Sequence, residues 1–182
     1  MKLTALIKDL PVIEISLPDS ISELERARPD FFSAATDPDE KTPDIDIGSV
    51  HYKAQEVSPG GLFVAIKGFK SDGHDFIDTA IKKGAKAVIS QKPLDKEVVV
   101  IVVENTRKAL AAVSRNFFEN PSEKMTIIGI TGTNGKTTTA YLLENIILQA
   151  GFKAGVIGTI NYRYGEKIFT SKVTTPESLD LQ

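Results

Sequence analysis

Cysteine is absent from the 182 residues, which removes disulfides, thiol catalysis and cysteine-based zinc sites from the chemistry open to this chain. His51 and His74 are the only histidines, and two histidines do not make a site. No run approaches the ~20 apolar residues needed to span a bilayer, and the opening, Met1-Lys2-Leu3-Thr4-Ala5-Leu6-Ile7-Lys8-Asp9, turns charged again too soon for a secretory segment. Membrane insertion is therefore not expected, and the cytoplasm is the expected location. A basic excess is missing as well: the formal net charge of −2 argues against a nucleic-acid surface, because binding a phosphate backbone needs such an excess. What is present, 41% hydrophobic and 25% charged residues, suits a globular chain able to bury one substantial core or two small ones.

Against this background one stretch stands out, Gly132-Thr133-Asn134-Gly135-Lys136-Thr137-Thr138. Glycines let the backbone turn tightly, so that successive N–H groups and the positive end of a following helix converge on an anion, and a lysine adds a mobile charge. By this mechanism Lys136 reaches the β- and γ-phosphates of a nucleotide and Thr137 ligates Mg²⁺. The spacing is a shortened variant, with Ile130 where the usual pattern has its first glycine. A glycine-rich turn can also be no more than a tight connection, so the flanks matter. Thr126-Ile127-Ile128-Gly129-Ile130 reads as a buried strand, and Leu142, Leu143, Ile146, Ile147 and Ala150 recur at helical spacing. Gly151 stops that helix, and a second apolar run, Ala154 to Ile160, would complete a right-handed strand-helix-strand unit in a parallel sheet.

The whole chain reads as α/β in two pieces. In residues 1–122, Gly61 to Lys67, Ala87 to Ser90 and Val98 to Val103 are expected strands, with helices over His74 to Lys83 and Thr106 to Phe118. Asn105 can cap the second helix, Ala109, Leu110, Val113 and Phe117 share one of its faces, and Asn120-Pro121 breaks the chain after it. Residues 123–182 hold the phosphate loop and a hairpin around Tyr162-Arg163-Tyr164-Gly165-Glu166-Lys167-Ile168, and Thr175-Pro176-Glu177-Ser178 opens another helix. Two parallel strands cannot cover both faces of a sheet, so the second piece is expected to be the beginning of a domain.

Residues 16–44 differ from the rest. Eight carboxylates (Asp19, Glu23, Glu25, Asp30, Asp37, Asp39, Glu40, Asp44) stand against Arg26, Arg28 and Lys41, with four prolines interspersed. This is a surface excursion, with a short helix possible over Asp19 to Arg26 and loop beyond it; a solvated face explains its acidity better than a metal or a partner does. Asp72, Asp75 and Asp78 likewise read as first-turn carboxylates complementing a helix dipole, and His74 as a helix-start residue.

The segment Gly132 to Thr139 resembles the ATP loop of the Mur ligases, the amide-forming enzymes of peptidoglycan precursor synthesis. Pro59-Gly60-Gly61-Leu62-Phe63-Val64-Ala65-Ile66, Asp72-Gly73-His74-Asp75-Phe76-Ile77, and Ala80-Ile81 with Gly84-Ala85 are similar to the N-terminal UDP-binding domain of that family. Gly158-Thr159-Ile160-Asn161-Tyr162 followed by Thr174-Thr175-Pro176-Glu177-Ser178 favours the tripeptide-forming, MurE-like branch. The matches cover most of residues 48–182.

The resemblance implies an N-terminal α/β UDP-binding domain followed by the start of a P-loop, mainly parallel-sheet ATP-binding domain. It implies ATP and Mg²⁺ as cofactors, and as substrates UDP-N-acetylmuramoyl-L-alanyl-D-glutamate and a diamino acid, meso-diaminopimelate or, in the alternative, L-lysine. Position by position, Gly132, Thr133, Asn134, Gly135, Lys136, Thr137, Thr138 and Thr139 would hold ATP, with Lys136 catalytic and Thr137 on the metal. Thr174 and Thr175 would hold the muramoyl-peptide, and Phe69, Lys70 and Ser71 would flank the uridine end. One departure is plain: where the family usually has Asp-Ser-Arg, its serine contacting the nucleotide, Lys53-Ala54-Gln55 stands here. The nucleotide end is then gripped through backbone groups, Tyr52 or Lys53, or is bound less tightly. Two readings from other classes stand beside this one. One is a different P-loop enzyme, such as a kinase or folate-type ligase, fused to an unrelated N-terminal unit. The other is a non-catalytic nucleotide-binding module ending at residue 182.

Overall fold

The computed structural model describes residues 1–18, 43, 45–68, 71–171 and 174–182; Phe69, Lys70 and most of the acidic excursion, including Asp19 to Arg26, lie outside them. The chain forms two compact units, Met1–Pro121 and Ser122–Leu181.

The first unit is built on apolar runs too short for helices. Leu62–Val64 (β3), Ala87–Ser90 (β4) and Val99–Val103 (β5) are buried at every residue, the pattern of parallel strands covered on both faces. With Val50–His51 (β2) they make a parallel array, Val50 opposite Leu62, Phe63 opposite Val88 and Val88 opposite Val100. Val12–Ser16 (β1) joins antiparallel at the far side of β5, giving the order β1-β5-β4-β3-β2. The α/β class with a mainly parallel sheet is thus as the sequence indicates, although β1 and the short helix Leu3–Ile7 (α1) were not foreseen.

Alternation along the strands divides the core. Phe63, Val88, Val100 and Val102 pack with Ala54, Val57 and with Ile77 and Ala80 of the helix Ile77–Lys82 (α2). Thr106–Phe117 (α3) packs against β2, β3 and β4 and against α1. Asn105 caps α3, its side chain accepting from the N–H groups of Arg107 and Lys108 at 3.1 and 3.0 Å. The stretch expected as one helix from His74 divides into a 3₁₀ turn, Gly73–Phe76, and α2. Asp72 organises that turn by accepting from the His74 N–H at 3.0 Å.

The second unit contains the helix Lys136–Gln149 (α4), the strands Gly155–Ile157 (β6), Asn161–Tyr164 (β7) and Lys167–Thr170 (β8), and the short helix Ser178–Leu181 (α5). The hairpin is where the sequence places it. The strand-helix-strand expectation is corrected in two respects: Thr126 to Ile130 has no sheet partner and is not a strand, and β6 pairs antiparallel with β7 in a three-stranded meander. An apolar segment becomes a strand only when another chain segment satisfies its N–H and C=O groups, and among the described residues none lies alongside 126–130. No residue of α4 is buried, and Ile127, Ile146 and Ile168 are 69%, 63% and 68% exposed. No helix among the described residues is long and apolar enough to cross a membrane.

Candidate functional site

In the second unit, Gly135 stands at the N-cap of α4 with φ +78°. An L side chain rarely adopts that conformation, and a glycine takes it without cost. The cap makes no side-chain hydrogen bond and no acidic residue occupies the first turn, so the positive end of a 14-residue helix is free of a built-in counter-charge. Lys136 folds back over the loop, its ammonium donating to the carbonyls of Gly132 at 2.6 Å and Thr133 at 3.3 Å. Thr133 and Asn134 lie exposed in the loop, while Thr137, Thr138 and Thr139 follow Lys136 in the first turn, and the Thr139 N–H closes that turn on the Gly135 carbonyl at 2.8 Å. A loop that turns at glycine, presents N–H groups and carries an ammonium is chemically matched to a polyphosphate. The Thr137 hydroxyl is a hard oxygen donor of the kind Mg²⁺ prefers. Among the described residues no group of three or more His, Cys, Asp or Glu could hold a metal ion.

Thr137 and Thr138 also line a cavity of about 720 Å³, bordered by Tyr141, Glu144, Asn145 and Ile160. Its wall is fixed by an interaction that sequence reading missed. Arg163 on β7 grips the Glu144 carboxylate with two hydrogen bonds, one from Nε at 2.7 Å. The guanidinium also lies 3.6 Å from the centre of the Tyr141 ring, and hydrogen bonding to Glu144 holds the Arg163 pKa above its usual value. Bidentate pairing and ring stacking both require arginine rather than lysine. No local signal announces such a contact between a helix and a hairpin. Thr174 and Thr175 are exposed just ahead of α5.

In the first unit, Ser71 belongs to a loop closed at its base. Lys67 and Asp72 form a β-bridge, and the Gly68 N–H donates to the Ser71 carbonyl at 2.9 Å. His74 anchors the adjoining turn: its Nε2 accepts from the Gln91 N–H at 3.1 Å, so Nδ1 carries the proton and donates to Asp72 at 2.6 Å. His74 is thereby a structural link between the helix start and the end of β4. The hydrogen bonds from His74, the backbone one foremost, hold Asp72 below the usual carboxylate pKa. His51 Nε2 sits 2.8 Å from the Ser49 hydroxyl, and burial lowers its pKa. Of the departing triplet, Ala54 is buried in the core, and Lys53 pairs with Glu56 at 3.1 Å beside the Tyr52 ring.

Residues 46–122 match the model of the Mur ligase family, catalytic domain, and residues 130–182 that of the Mur ligase middle domain. The chain is 52% identical over 133 residues to the UDP-N-acetylmuramoyl-L-alanyl-D-glutamate–2,6-diaminopimelate ligase of Aquifex aeolicus, covering 73% of this chain and 28% of that protein. To the ligase of the same name from Clostridium perfringens it is 48% identical over 137 residues, covering 74% and 28%. A solved structure of a UDP-N-acetylmuramoyl-L-alanyl-D-glutamate–2,6-diaminopimelate ligase shares its fold, with a TM-score of 0.62 and 24% identity over 80% of this chain and 30% of that one. The chain spans 28–30% of the length of the curated relatives it matches. With both of its units matched by successive domains of one family, the chain belongs to the Mur ligases.

Proposed function

We propose that this chain supplies the UDP-binding domain, residues 1–122, and the opening of the ATP-binding domain, residues 123–182, of a cytoplasmic MurE-type ligase. That ligase joins a third amino acid, meso-diaminopimelate, to UDP-N-acetylmuramoyl-L-alanyl-D-glutamate. The observation that carries the reading is the glycine-turned loop with Lys136 at the head of α4, in a chain whose relatives bear the name of the diaminopimelate-adding enzyme. Those names favour diaminopimelate over L-lysine.

A carboxylate is a poor electrophile, and its phosphorylation supplies a leaving group. In the proposed reaction the D-glutamyl carboxylate attacks the γ-phosphorus of ATP, releasing ADP. The amine of diaminopimelate then attacks the acyl phosphate, losing a proton and expelling inorganic phosphate as the amide forms. Gly132 to Thr139 hold ATP, and the Lys136 ammonium moves from the loop carbonyls to the phosphates and offsets charge on the transferring phosphoryl group. The Thr137 hydroxyl would hold Mg²⁺, which would supply further charge neutralisation. Thr174 and Thr175 bind the muramoyl-peptide, while Phe69, Lys70 and Ser71 flank the uridine.

Calorimetric titration of the chain tests both ends. ATP with Mg²⁺ is expected to bind, and Lys136→Ala to weaken it by roughly tenfold or more. UDP-N-acetylmuramoyl-dipeptide is expected to bind saturably and to lose affinity when Thr174 and Thr175 are replaced by alanine. Binding of neither would sink the reading. This chain alone is expected to give no ligase turnover, and turnover above a Lys136→Ala control would overturn the assignment of catalysis to a larger assembly of domains.

A further inference from the structure

The clamp between Arg163 and Glu144 lies on the side of α4 that leads to the phosphate loop. Thr137, Tyr141 and Glu144 follow one another at spacings of four and three residues, which sets them on one stripe of the helix. All three line the same cavity, beside Thr138 and Ile160. At the far end of that stripe Arg163 holds the Glu144 carboxylate through two of its nitrogens, and its guanidinium lies 3.6 Å from the centre of the Tyr141 ring.

The support behind Arg163 is firm. β7 is the central strand of the meander, and Arg163 stands opposite Val156 of β6 on one side and Ile168 of β8 on the other. The helix it grips is held far less closely: no residue of α4 is buried, and Leu142 and Ile146 are 61% and 63% exposed. Apolar contact is non-directional, so a helix resting on it alone is free to turn about its axis. Bidentate pairing and ring stacking are directional and stop that turn. The side chains of the pair are only 13% and 15% exposed, a degree of desolvation at which an ion pair adds little net stability and serves instead to select one geometry. A turn of α4 by about 10° would carry a surface atom ~5 Å from the axis through ~1 Å. Misplacement on the order of 1 Å in a site that positions reactants costs up to about a hundredfold.

We infer that Arg163 is a positioning residue for the nucleotide: through Glu144 and Tyr141 it fixes the rotation of α4 on the hairpin, and so the placement of the Thr137 hydroxyl at the phosphates. The inference rests on the ATP-binding reading of the loop. Arg163 acts through the helix and not by touching the nucleotide.

The test is a double-mutant cycle on the full chain, Arg163→Lys with Thr137→Ala, read by calorimetric titration with ATP and Mg²⁺. Arg163→Lys keeps the charge and loses the fork, and is expected to weaken ATP about tenfold. Thr137→Ala is expected to weaken it by about the same factor. Because Arg163 acts through Thr137, the double variant is expected to bind no worse than the weaker single, whereas independent losses would multiply to about a hundredfold. A general loosening of the unit would multiply in the same way, so non-additivity separates positioning from mere support. Where Arg163→Lys loses the helical circular dichroism signal, Glu144→Gln, which leaves a neutral acceptor at the same place, replaces it in the cycle. Folded clamp variants that bind ATP as the wild type does, or losses that multiply in full, overturn the inference and leave the ATP reading standing. A wild-type chain that does not bind ATP sinks that reading, and the inference with it.

Discussion

A single residue in the loop, Gly135, separates backbone chemistry from side-chain chemistry. A Cβ there would meet nothing within 4 Å, so the cost of Gly135→Ala is conformational, about 1–2 kcal/mol for a left-handed alanine. Gly135→Asn, whose side chain tolerates that region better, is expected to retain more ATP affinity than Gly135→Ala, in the same titration. His51 offers a second residue-level test. Burial lowers its pKa in the folded chain, so the folded state binds protons less readily than the unfolded one. The resulting stability is fully present above the unfolded value near 6.5 and is lost as pH falls through the lower folded value. Urea midpoints at pH 7.5 and pH 5.5 are expected to differ more in the wild type than in His51→Gln. Asp72, also depressed, works the same way in a separate window, its contribution being lost at pH values below the ordinary carboxylate range.

At the level of elements, α3 depends on its first residue. Asn105→Ala is expected to cost roughly 1 kcal/mol and Asn105→Gly a few tenths, read from denaturant midpoints. This helix was legible to within a residue, because its cap, its apolar face and its terminator are all local. The parallel strands β3, β4 and β5 were legible as apolar runs for the same reason, although β3 is shorter than Gly61 to Lys67. Elements defined by distant partners were not. β1 is a strand because Ile15 pairs with Ile101, and Thr126 to Ile130, equally apolar, is not one because nothing among the described residues pairs with it. The Tyr141-Glu144-Arg163 group is invisible for that reason too, whereas the loop around Lys136 announces itself through glycines and a lysine that are adjacent in sequence.

Across the whole chain, burial is uneven. The first unit has a closed core with Phe63, Ile89, Ile101 and Leu110 fully buried, whereas the second leaves Leu142, Ile146, Phe152 and Ile168 more than half exposed. Leu110→Ala is expected to destabilise the first unit by about 2–5 kcal/mol. Amide exchange in β3, β4 and β5 is expected to be far slower than in β6, β7 and β8, since buried ladders open only with the core. Equal exchange rates in the two units would contradict the structure.

The antiparallel strand at the margin of the sheet also carries a timetable. β1 has no partner until β5 exists, and α1 is fastened by the side chain of Asn116 to the Leu6 carbonyl across 110 residues. Closing so long a loop is expected to come late in folding, after the contiguous β3, α2, β4 and β5 have condensed, and pulsed amide exchange would show β1 protected after them. Residues 12–16 are thus expected to be among the last of the first unit to find their place.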